Sequence, residues 1–131
     1  MKLLLVAGDD KLPLLAAQFA TDFEISRATD APAALEQLGR QAMDALVVHL
    51  GIGESEALDI LYGARKQSPD RPPGMVVVAE NFDLRTVVEV MRAGAYDVQL
   101  ESSLMPGKLA HSLRNATLLT QLSRRRPDPA K

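Results

Sequence analysis

Cysteine is absent from the 131-residue chain, so disulfides, zinc–thiolate centres and thiol nucleophiles are excluded. A basic excess is also missing: 15 lysines and arginines face 17 aspartates and glutamates, for a formal net charge of −2. Without surplus cations to neutralise a run of phosphates, direct nucleic-acid binding is not expected. The longest apolar runs, such as Leu3 to Ala7 and Met75 to Ala79, fall far short of the ~20 residues of a membrane-spanning helix. Met1-Lys2 ahead of Leu3 to Ala7 imitates a signal peptide, but Gly8-Asp9-Asp10 cuts the apolar region below the usual ~7 to 15 residues. No membrane partner is expected, and the chain reads as cytoplasmic. What is present suits one globular domain: 47% hydrophobic and 24% charged residues, over a length that holds a single core.

Short continuous apolar runs alternate with longer stretches at helical spacing. Leu3 to Ala7 is a run with no polar alternation, as expected of a strand covered on both faces; Ala45 to Leu50, Met75 to Ala79 and Tyr96 to Leu100 read as further strands, and Glu24 to Thr29 is a weaker one. Asp9 or Asp10 can cap a first helix with Pro13 in its first turn and Leu12, Leu15, Phe19 and Phe23 on one side. Asp30 caps a second, with Leu35, Leu38 and Ala42 as its buried stripe. The third covers residues 55–67 with Leu58, Leu61 and Tyr62 inward, and the fourth carries Leu84, Val87, Val88 and Met91 up to Gly94. Pro106 opens a fifth with Leu109, Leu113, Ala116 and Leu119 inside. Five strands alternating with five helices predict an α/β fold, a five-stranded parallel sheet between two helix layers. Chemistry in such a sheet collects at the carboxyl ends of the strands. There stand Ala7, Gly8, Asp9 and Asp10, then His49, then Ala79 and Glu80, then Glu101 and Ser102.

Two phrases, Met43-Asp-Ala-Leu-Val-Val-His-Leu50 and Val90-Met-Arg-Ala-Gly-Ala-Tyr-Asp97, together with intervals of 30 positions from His49 to Ala79 and 22 from Ala79 to Glu101, carry a family resemblance. Over about residues 2–122 the chain resembles the receiver domain of bacterial two-component response regulators, with its flavodoxin-like fold. The resemblance implies a phosphoryl group on an aspartate after the third strand, Mg²⁺ on two acidic residues after the first, and a hydroxyl residue and a lysine that read the phosphate. Such chemistry needs a carboxylate nucleophile, a divalent cation and fixed donors. Carried over position by position, the phosphoacceptor place holds His49, the acidic pair Ala7 and Gly8, the hydroxyl place Ala79 and the lysine place Glu101, followed by Ser102 where the family has proline. The aromatic switch position holds Val98. The resemblance therefore implies a degenerate receiver whose crevice has been stripped of the anions and the cation that trap a phosphoryl group.

A shifted register makes Asp9 and Asp10 the acidic pair and candidates for metal ligation, at the expense of an interval of only 39 positions from Asp10 to His49. It still supplies no carboxylate to phosphorylate. His49 itself can accept a phosphoryl group or bind a metal, which leaves two alternatives open: an atypical phosphoryl-accepting receiver, and a small-ligand or metal sensor in the crevice at His49. We expect instead that His49, potentially cationic, faces anionic Glu101 and closes the old phosphate site. Gly51-Ile-Gly53 lacks the Lys-Ser or Lys-Thr of a phosphate loop, and no serine elbow accompanies His49 or His111. Neither a cofactor nor an enzymatic activity is expected.

The resemblance further implies a docking face made by the fourth helix, fifth strand and fifth helix. Here it would present Arg85, Glu89, Arg92, Asp97, Lys108 and Arg114, a mixed-sign set suited to a protein partner or a homodimer. The receiver-like domain is assigned to 1–122. The last helix is expected to run on through Leu118, Leu119 and Leu122 to Arg126 and to end at Pro127-Asp-Pro129, with 123–131 acting as a linker or tail toward a C-terminal output domain.

Overall fold

The computed structural model describes residues 1–19 and 23–125. Its strands are β1 (Lys2–Val6), β2 (Glu24–Ala28), β3 (Ala45–His49), β4 (Gly74–Ala79) and β5 (Asp97–Leu100). The helices are α1 (Leu12–Ala16), α2 (Ala31–Arg40), α3 (Glu54–Gln67), α4 (Leu84–Arg92) and α5 (Lys108–Arg125), with short 3₁₀ turns at Leu50–Ile52 and Glu101–Ser103. All pairings are parallel, in the order β2-β1-β3-β4-β5. The order reverses between β1 and β3, so a crevice opens above their carboxyl ends. Among the described residues no helix is long and apolar enough to cross a membrane.

Alternation along the strands divides the core. Leu4, Val6, Leu46, Val48, Met75 and Val77 point to the α2, α3 and α4 side. Leu3, Leu5, Val47, Val76 and Val78 point to α1 and α5, where Leu12, Leu15, Leu109 and Leu113 cover them. Burial on both faces is why these strands read as uninterrupted apolar runs. Asp30 caps α2 as expected, its Oδ1 accepting from the Ala33 amide at 2.9 Å. Gly94 closes α4 at φ +117°, a conformation that only glycine adopts without strain.

Several helix faces differ from the expectation. Neither Asp9 nor Asp10 caps α1. The amides of Lys11 and Leu12 both bond to the Gly8 carbonyl, at 2.9 and 3.1 Å, so a turn consumes those residues and the helix begins at Leu12, with Lys11 at the N-cap position and no side-chain cap. On α4 the row Leu84, Val88, Met91 faces outward, with Leu84 79% exposed, while Thr86 and Val90 face the sheet. Apolar residues occupy both sides of this helix; Asp83, accepting from the Thr86 amide, sets the entry angle that selects the inner one. Tyr62 and Leu119 are likewise exposed, the inner face of α3 being Ala57, Ile60, Leu61 and Ala64. Ala42 lies beyond the end of α2 and is exposed. Helix α5, by contrast, runs on to Arg125 as expected. The expected stop at Pro127-Asp-Pro129 lies outside the described residues.

Candidate functional site

Strand β3 delivers His49 to the crevice floor, 1% exposed. The chain then tightens into the 3₁₀ turn, which carries the Gly51 amide back to donate to His49 Nδ1 at 2.9 Å. A side chain at Gly51 would not fit: its Cβ would stand 2.9 Å from Nδ1. Since Nδ1 accepts, the ring proton of this tautomer sits on Nε2, which donates to Glu101 Oε1 at 2.9 Å. The expected contact between His49 and Glu101 is therefore present, but as a hydrogen bond from imidazole to carboxylate. Both ring nitrogens are engaged and the ring is buried, so neither has an open lone pair for a phosphoryl group or a metal.

The cation of the crevice is Lys11. Its Nζ lies 2.9 Å from Glu80 Oε1 and 3.0 Å from both oxygens of Glu101. Loops following β1, β4 and β5 thus meet at one ammonium group, and the imidazole after β3 joins them through Glu101. Where the crevice was expected to lack the anions and the cation that trap a phosphoryl group, it holds the Lys11 ammonium paired with Glu80 and Glu101, with Asp10 also in its lining. Lys11 stands at none of the family's own site positions and reaches in from a different one. Gly51, read from sequence only as a turn residue, was missed in the same way. A lysine just past a strand end opposite two glutamates at other strand ends was the available signal.

These contacts govern titration. Lys11, held chiefly by its bond to Glu80 and next by Glu101, is raised above the ordinary lysine range. Glu101 is lowered, first by the Lys11 hydrogen bond and then by His49, against an opposing desolvation cost. A lowered carboxylate stabilises the fold above its ordinary value of 4.5 and loses that contribution as pH falls through the folded value. A raised lysine stabilises below its ordinary value of 10.5 and loses the contribution only as pH rises through the folded one. The Lys11–Glu101 pair is therefore charged across the whole neutral range.

Gly8, His49 and Ala79 line this crevice, a cavity of about 390 Å³, together with Asp10, Lys11 and Glu80; Glu101 joins it through His49 and Lys11, while Ala7 is buried in the core. Asp9 and Asp10 remain exposed in the turn, and among the described residues no group of three or more histidines and carboxylates is placed to hold a metal ion. The six charged residues assigned to a docking face do not form one set. Arg85 reaches Glu54 at 3.3 Å, and Glu89, Arg92 and Lys108 stay on the surface or part-buried. Asp97 turns inward, accepting from Gln99 Nε2 and Ser112 Oγ, each at 2.9 Å. Arg114 lies over the Phe23 ring, 5.4 Å from its centroid, on the α1 side of α5. Alternation along β5 explains Asp97: it shares the α5-facing side with Gln99, whose hydrogen bonds hold it.

No family model matches the chain. Over 64 residues it is 34% identical to the regulatory protein LuxO of Vibrio cholerae, a match covering 49% of this chain and 14% of LuxO. Over 75 residues it is 35% identical to the alginate biosynthesis transcriptional regulatory protein AlgB of Pseudomonas aeruginosa, covering 57% of this chain and 16% of AlgB. The chain thus spans only a small part of the length of these relatives. Among solved structures, the CheY-like response regulator receiver domain protein of Methanospirillum hungatei superposes with a TM-score of 0.79 at 17% identity, covering 93% of this chain and 97% of that one.

Proposed function

We propose that this chain, which has the CheY-like fold of response-regulator receiver domains, works as a degenerate receiver: a non-enzymatic protein-interaction module that operates without phosphorylation. The observation that carries this reading is the paired network His49–Glu101–Lys11–Glu80 filling the place where a receiver binds its phosphoryl group. The strand-end position of β3 holds His49 and no carboxylate, and Ala79 offers no hydroxyl to a phosphate oxygen. Glu101 opposes an incoming anion where a receiver would attract it. Mg²⁺, which the fold family implies, does not fit the donors present. It demands oxygen ligands in near-octahedral array, whereas Ala7 and Gly8 carry none on their side chains, Glu80 and Glu101 are already bound to an ammonium, and among the described residues no group of three or more histidines and carboxylates is placed to hold a metal ion.

The surface we assign to a protein partner or a second copy is the outer row of α4, Leu84, Val88 and Met91, beside the exposed Tyr96. Large apolar side chains left out of the core at regular helical spacing suit a docking face better than solvent. LuxO and AlgB are regulatory proteins far longer than this chain, which supports a place for it ahead of an output domain. Incubation with acetyl phosphate and Mg²⁺ followed by intact mass measurement tests the reading. The mass is expected to stay unchanged; a stable gain of one phosphoryl group, on His49 or elsewhere, would overturn it.

A further inference from the structure

We infer that Lys11 is a tethered cation, doing from within the chain the bridging between acidic loops that a divalent ion would otherwise do, and so making the closed crevice indifferent to divalent metal. The inference deepens the function proposed above and rests on it for the absence of phosphoryl chemistry. Its basis is where the ammonium sits. Asp9 and Asp10 immediately precede Lys11 yet stay in solvent, whereas the Lys11 side chain is only 24% exposed and touches carboxylates from two other loops. The stem is aimed by the backbone: the amides of Lys11 and Leu12 share the Gly8 carbonyl, which fixes the turn from which the side chain departs.

The substitution also explains Glu101. A metal-dependent crevice places a positive side chain opposite its anions; with the cation supplied by the β1 loop, the β5 loop must supply the anion, and a lysine there would face Lys11 with like charge. One ammonium balances one of the two carboxylates, and the His49 Nε2–H donates to the oxygen of Glu101 that Lys11 also approaches. Glu80, the other anion, follows β4 directly and begins the segment that leads to α4 and its outward apolar row.

Mn²⁺ titration of ¹⁵N-labelled protein, read as paramagnetic broadening, tests this on the wild type, Lys11→Met and Lys11→Arg. In the wild type and Lys11→Arg, millimolar Mn²⁺ should leave the Gly8, Ala79, Glu80 and Glu101 amides as sharp as the rest. In Lys11→Met, which keeps the stem and removes the charge, those amides should broaden selectively as the free ion takes the vacated place between Glu80 and Glu101. Should Lys11→Met not fold, Lys11→Gln takes its place. Selective broadening in the wild type, or none in the neutral variants, overturns the inference. Wild-type broadening with a mass unchanged by acetyl phosphate removes the role of Lys11 and leaves the proposed function standing; a mass gain removes the function whatever Mn²⁺ does.

Discussion

Glu101→Ala lowers the stability of the domain by about 1–3 kcal/mol, the cost of leaving a buried donor without an acceptor. The donor is the Nε2–H of His49, which cannot turn to another partner because Nδ1 is bound to the Gly51 amide and the ring is enclosed by the sheet and the 3₁₀ turn. Glu101→Gln keeps an acceptor for His49 but withdraws the charge from Lys11, so its loss is smaller, and the order of stability is wild type, Gln, Ala. Urea unfolding at neutral pH gives the order through the midpoints, with unchanged slopes. The pH dependence supplies the sign. Folded Glu101 binds its proton at lower pH than unfolded Glu101, so the wild type's advantage over Glu101→Gln is full above the ordinary glutamate value and shrinks as pH falls through the folded one. An advantage constant into strong acid would mean that the carboxylate charge contributes nothing.

Gly74→Ala costs about 1–3 kcal/mol by overpacking. The added Cβ would lie 2.6 Å from the amide nitrogen of Thr117 and 2.9 Å from the carbonyl carbon of Ala116. Both are backbone atoms of α5, so no rotamer change relieves the contact and the helix itself must move off β4. Displacing α5 strains the hydrogen-bonded trio of Asp97, Gln99 and Ser112, whose members come from β5 and α5. Hydrogen exchange of amides in α5 should accelerate together with the fall in the unfolding midpoint. A wild-type midpoint would show that α5 has more room over β4 than the packing indicates.

The fold was legible because both faces of the sheet are covered. Uninterrupted apolar runs, the Asp30 cap and the glycine after α4 each have one physical reading, and strand edges moved by only a residue or two. Outer and inner faces of α4 were not legible from periodicity, since Leu84, Val88 and Met91 repeat at helical intervals as well as the inward set of Thr86 and Val90 does. Their choice depends on how Asp83 sets the helix on the sheet. At the crevice, strand-end positions placed His49 opposite Glu101 correctly. Lys11 escaped because a long side chain acts several ångströms from its backbone, so its place in the sequence does not say where its charge lies. Asp97 was placed on the surface for the related reason that charge in a sequence suggests solvent, while the buried Gln99 amide holds its carboxylate back against the protein.

In the degenerate receiver proposed above, the crevice's own paired side chains leave no seat for a phosphoryl group. The most direct measurement is the ¹H–¹⁵N spectrum of the labelled protein with beryllofluoride and Mg²⁺ together. If His49, Glu101, Lys11 and Glu80 hold the crevice as described, the amides of Gly8, His49, Ala79 and Glu101 keep their positions. Saturable shifts concentrated at those four amides, marking an adduct seated beside bound Mg²⁺, would contradict the account.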